Sequence, residues 1–166
     1  INQSIHTMDL LGVLLGKPVS VEAQTANHHL PGIIEVEDMM EAYIRYENAE
    51  ACFYATTAYT EDAPPLIEIS CENVVIRIED LDVTLFWKDG CGGSGRIERP
   101  EIVRKQALGK SYWGTGHLDC ISDFYRCLKT GGRFAQDLDG VRNTVRLMLG
   151  AYESAGCAGK EIRLKL

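Results

Sequence analysis

Asn2, His6 and Asp9 follow one another at spacings of four and three, which on a helix puts an amide, an imidazole and a carboxylate on one stripe, away from Ile5, Met8 and Leu11. The chemistry this offers is general acid/base catalysis, because an imidazole titrates near neutrality and its neighbours can fix its orientation. Asn2 exchanges no proton near neutral pH, so its only site role is hydrogen bonding. Asp9 fits structural support, holding a loop or the adjacent imidazole, better than catalysis. On the residues alone, a surface stripe without a catalytic role remains the competing reading.

Other groups are weaker. Glu37 and Asp38 are neighbours before a strand-like run, where adjacent side chains point to opposite faces, so a structural role is favoured over a metal site or an acid/base dyad. His28 and His29 lack carboxylate or thiol partners at ligand spacing and read as a solvated loop. His117 opens a helical segment just after Tyr112 and Trp113, an arrangement that suits either a sugar pocket or plain packing. The glycines from Gly90 to Gly95 have no strand-to-helix turn around them and do not make a phosphate loop.

The elements that must position these residues are legible from periodicity. Ile5, Met8, Leu11 and Leu15 predict a helix over 2–15, ended by Gly16 and Pro18. Alternation over 19–25 predicts a strand with Val19, Val21 and Ala23 on one face. Runs at 39–46 and 51–57 predict a hairpin around 47–50. After the prolines near 65, three strands are expected at 66–70, 74–79 and 83–87. The glycine-rich stretch 89–116 reads as a long loop. Two helices follow: 117–129, with Leu118, Ile121, Tyr125 and Leu128 inward, and 141–155, with Val145, Met148, Leu149 and Tyr152 inward and Asp139 as N-cap. A strand over 161–166 ends the count. The expectation is one α+β domain, an open, mostly antiparallel sheet of six or seven strands with helices on one face.

The 166 residues, 45% apolar and 25% charged, suit one globular domain. A net charge of −7 and the lack of a basic stripe exclude nucleic acid as a natural partner. Apolar runs such as 10–15, broken by Gly12, are far shorter than the roughly 20 residues that cross a bilayer. Six cysteines without a C-x-x-C pair predict reduced thiols in a cytoplasmic setting, with no metal site. Opening at Ile1 without a Met or a signal pattern, the chain reads as a piece of a longer protein.

The run Asn2-Gln3-Ser4-Ile5-His6-Thr7-Met8-Asp9-Leu10-Leu11 resembles the helix that carries the catalytic histidine in the glucose-fructose oxidoreductase and inositol dehydrogenase (Gfo/Idh/MocA) family. Glu35-Val36-Glu37-Asp38 resembles that family's lead-in to a strand. Gly116-His117-Leu118 through Asp123-Phe124 resembles its penultimate helix, and Ala151-Tyr152-Glu153-Ser154-Ala155 its closing one. The likeness spans almost the whole chain in the right order.

The resemblance implies a two-domain NAD(P)-dependent oxidoreductase of sugars, cyclitols or polyols, of which this chain is the C-terminal, substrate-binding and oligomerising part. An N-terminal Rossmann domain would hold NAD or NADP, so the chain alone is expected to bind neither. In that family a lysine of the first domain joins an Asp-x-x-x-His pair on this helix. His6 matches the histidine, and Asn2 stands where Asp is common, supplying no charge to raise the imidazole pKa. Two other outcomes fit the same scaffold: a relative that recycles NAD to cleave glycosidic bonds, and a non-catalytic binding or oligomerisation domain. Self-association is expected through a sheet face carrying Tyr43, Phe53, Tyr54 and Ile76, with no membrane partner.

Overall fold

The computed structural model describes residues 4–61, 63–90, 93–102 and 116–164. In chain order the elements are α1 (Ile5–Leu15), β1 (Pro18–Ala26), β2 (Met39–Tyr46), β3 (Glu50–Thr56), β4 (Leu66–Ser70), β5 (Val74–Glu79), β6 (Asp82–Lys88), β7 (Ser94–Glu98), α2 (Gly116–Thr130), α3 (Leu138–Gly156) and β8 (Ile162–Arg163). They form two compact units, residues 1–60 with 133–166, and residues 61–132. The predicted α+β, antiparallel layout is borne out. The described strands number eight, however, and form two sheets of four instead of one.

In the first unit the sheet order is β3-β2-β1-β8, all antiparallel. Gly16 ends α1 at φ 91°, a conformation that favours glycine, and its N–H closes the last turn on Gly12 O. Pairing Val21↔Ile44, Ala23↔Ala42 and Ala42↔Phe53 puts these side chains on one face. They are buried there with Met8, Leu11, Met40, Leu147 and Ala151. Full burial of a side chain such as Ile44 or Leu147 contributes about 1.5–3 kcal/mol. Val19 was expected on this face and is exposed instead. The β1/β2 register shifts between Pro18 and Ser20, and that irregularity breaks the alternation at Val19. Phe53 likewise belongs to the core and not to an open face.

Helix α3 packs along β1, and α1 along α3. The buried stripe of α3 is Thr144, Leu147, Gly150, Ala151 and Ser154. The expected stripe is wrong by part of a turn: Val145, Leu149 and Tyr152 are exposed and Met148 is half-buried. Small residues win the inner face because they let the helix sit close to the strand. A Cβ on Gly150 would lie 2.5 Å from Leu164 Cδ2 and 3.2 Å from Val21 Cγ1. Ser154 adds a buried polar tie, accepting from Ala23 N at 2.8 Å and donating to Lys160 O at 2.7 Å. The N-cap is Asp137, which accepts from Gly140 N at 2.7 Å, and not Asp139.

The other face of this sheet is polar. Arg45 donates to Glu22 at 2.6 Å and Glu161 at 3.2 Å and lies 4.7 Å from the Tyr43 ring centre, an exposed network of small net worth. Tyr43 and Tyr54 share this face, where an open trough of about 410 Å³ runs past Gln24, Glu41 and Cys52.

In the second unit β4, β5, β6 and β7 form a meander. The register puts Ile67, Ile69, Ile76, Ile78, Val83 and Leu85 on one face. Val75, Phe86 and Ile97 make a cross-strand row on the other, among Glu68, Arg77 and Thr84. Strand β7 lies where a loop was expected, since Gly95 and a run of only five residues hide its alternation. In α2 the expected inward residues Leu118, Ile121, Tyr125 and Leu128 are each more than half exposed, and the buried one is Cys127. Among the described residues, α2 has no extensive packing against the strands of its unit. Its apolar stripe of Leu118, Ile121, Tyr125 and Leu128 is exposed.

Candidate functional site

Only Gly16 and Lys17 separate α1 from β1, so the strand runs back along the helix and the first turn of α1 lies at the sheet end where β1 and β3 finish and β2 begins. A small cavity confirms this, lined by Ser4 together with residues 37–40 and 55–57. His6, the second residue of α1, is exposed at that end, and among the described residues no hydrogen bond holds its ring. Asn2 lies outside the described residues.

Asp9, one turn on, is half-buried and accepts from the Thr144 hydroxyl at 2.5 Å, which ties α1 to α3. A second tie comes from Tyr152, whose hydroxyl donates to Glu37 at 2.6 Å. Partial burial and that carboxylate push the Tyr152 phenol up to about 12, so it remains a donor.

The connection 27–38 at the same sheet end is closely wired. The buried Asp38 carboxylate accepts from the backbone N–H groups of His28 at 3.0 Å, His29 at 2.6 Å and Leu30 at 3.2 Å. Burial opposes its ionisation, but these amides outweigh that and hold its carboxyl below the usual aspartate range. Asn27 accepts from Leu30 N at 3.1 Å and donates to Ile34 O and Val36 O at 3.2 and 3.0 Å. Sequence reasoning assigned Asp38 a structural role without finding this partner set. The available signal was an Asn just after one strand and an Asp just before the next, two residue types that capture local amides.

His28 and His29 have exposed side chains on this loop. His117 is exposed near the start of α2 in the second unit, and Tyr112 and Trp113 lie outside the described residues. Among the described residues no group of three or more His, Cys, Asp or Glu could hold a metal. Among the described residues Cys52, Cys71, Cys120, Cys127 and Cys157 form no disulfide. No strand there runs through a glycine-rich turn into a helix, so these residues do not fit a dinucleotide. No described helix is long and apolar enough to cross a membrane.

Residues 1–77 match the family model described as GFO/IDH/MocA C-terminal domain. That match takes in just under half of the chain, and over it the sequence is similar to the C-terminal domain of this family. The chain's fold agrees over nearly the whole length with that of an oxidoreductase from Agrobacterium radiobacter in complex with NAD+, L-tartaric acid and magnesium. That match has a TM-score of 0.78 at 19% identity, over 97% of this chain and 47% of that one. The WlbA dehydrogenase of Bordetella pertussis, in complex with NADH and UDP-GlcNAcA, gives 0.70 at 25% identity, over 99% and 45%. The UDP-N-acetylglucosamine 3-dehydrogenase GnnA of Acidithiobacillus ferrooxidans gives 0.73 at 18%, over 94% and 46%. The chain thus spans less than half the length of each of these three structures. No curated protein matches it.

Proposed function

We propose that this chain is the C-terminal, substrate-facing domain of an NAD(P)-dependent oxidoreductase acting on a sugar, cyclitol or related polyol. The observation that carries the reading is the exposed imidazole of His6 at the sheet end of the first turn of α1. In this role His6 takes the proton of a substrate hydroxyl during oxidation and returns it in the reverse direction. The hydride chemistry would belong to the nicotinamide.

Asn2 orients the hydroxyl or the imidazole, and Asp9, tied to Thr144, supports the helix that carries both. His117, Trp113 and Tyr112 bind substrate. NAD or NADP is held by a preceding Rossmann domain. Leu10, Val13 and Leu14 on α1, with Val145 and Leu149 on α3, are exposed apolar side chains, which supports a further body of protein covering them. Complexes of similar structures with NAD+ or NADH and with a sugar nucleotide support the cofactor and the substrate class. The enzyme works in the cytoplasm as a homo-oligomer, and the β4–β7 sheet, with Val75, Phe86 and Ile97 in a row, is the associating surface.

The test is turnover by the full-length enzyme of UDP-N-acetylglucosamine, levoglucosan and myo-inositol with NAD+ or NADP+, followed by reduced nicotinamide and product analysis. Net reduction with at least one of them is expected. No turnover of any would contradict the reading, and product without net reduction would point to cofactor recycling.

A further inference from the structure

The β1–β2 connection has a shape set from within. A buried carboxylate is costly unless hydrogen bonds compensate it, and Asp38 spends both oxygens on three successive amides of this connection. Asn27 fixes its far side through two carbonyls. The backbone of 28–30 is thereby turned inward while the imidazoles of His28 and His29 stay exposed. The connection stands at the sheet end where α1 begins, so His6, His28 and His29, three of the chain's four histidines, share that end.

We propose that residues 27–37 are a specificity loop of the substrate site. His28 and His29 hydrogen-bond substrate hydroxyls away from the carbon that reacts, and Asp38 is the positioning residue that holds them there. This rests on the reading of His6 as the acid/base of a polyol oxidoreductase and goes beyond it by naming what reads the rest of the substrate. Rigid placement is what such contacts need, because a donor on a fraying loop loses to ordering entropy what it gains in binding.

The experiment uses the full-length enzyme and whichever of the three probes it turns over. For the double variant His28→Ala/His29→Ala, which removes exposed side chains and leaves the melt unchanged, the KM for the probe should rise about tenfold. Its kcat should stay within about threefold, the pattern of lost binding without lost chemistry. The KM for the nicotinamide should not move, and His28→Asn/His29→Gln should recover part of the loss. Asp38→Asn should raise the same KM and speed hydrogen exchange at the amides of His28, His29 and Leu30. An unchanged probe KM in the double variant of an active enzyme overturns this proposal alone. A rise confined to the nicotinamide KM also overturns it, by making the loop a surface for the nucleotide-binding domain. A wild-type enzyme that turns over none of the probes overturns the functional reading and this proposal with it.

Discussion

The two units differ in how much they bury by themselves. In the first, a sheet face meets α3 and α3 meets α1, and most of the buried apolar side chains of the described residues lie there; only Ile67 and Cys127 belong to the second. In the second, every residue from Val74 to Ile78 is half-buried, although one sheet face is a continuous array of isoleucine, valine and leucine. Apolar patterning alone does not make a core; a second layer has to lie on it. The proposed acid/base stands on the unit that has that layer.

Core truncations should show the contrast most strongly. Leu147→Ala should cost about 2–5 kcal/mol in chemical denaturation, while Ile76→Ala on the half-buried sheet should cost markedly less. Equal losses would break the contrast. Ser154→Ala should cost about 1–3 kcal/mol, since it leaves Ala23 N–H without its buried acceptor.

A pH effect comes next. The Asp38 carboxyl is held below its unfolded value, so the stability it contributes is present above the usual aspartate range and is lost as the pH falls through the folded value. Wild type should therefore melt above Asp38→Asn near neutrality, and the gap should close in acid below that range. A gap that stays constant down to strong acid would show that the amide bonds are not what Asp38 supplies. The smallest stability change belongs to the second unit. Ile97→Glu, at a half-exposed position, should move unfolding by about 0.5 kcal/mol or less. It should nevertheless lower the sedimentation coefficient if the β4–β7 sheet is the associating surface.

The same division separates what the sequence reveals from what it hides. The β2–β3 hairpin was legible because it has one wet and one dry face, which periodicity reports directly. Helix α1, apolar on its exposed side too, was legible from the spacing of Met8 and Leu11 and its stop at Gly16. Helix α3 was found but rotated, because pattern reading ranks side chains by size and here Gly150, Ala151 and Ser154 take the inside. Strand β7 was missed because it is only five residues long and holds Gly95, so its alternation is faint even though it pairs with its sequence neighbour β6. At the site, His6 was legible from type and spacing. The wiring of Asp38 to 28–30 was not, since it depends on two strands bringing the ends of a connection together.

The claim that this domain places an acid/base at the sheet end of α1 is tested most directly by the steady-state turnover of His6→Ala in the full-length enzyme, against pH and beside its thermal melt. Turnover should fall by about a hundredfold to ten-thousandfold with the melt unchanged, because an exposed imidazole contributes proton transfer and almost no packing. Turnover within about threefold of wild type, at saturating substrate and cofactor, would contradict the account and leave the proton to another group.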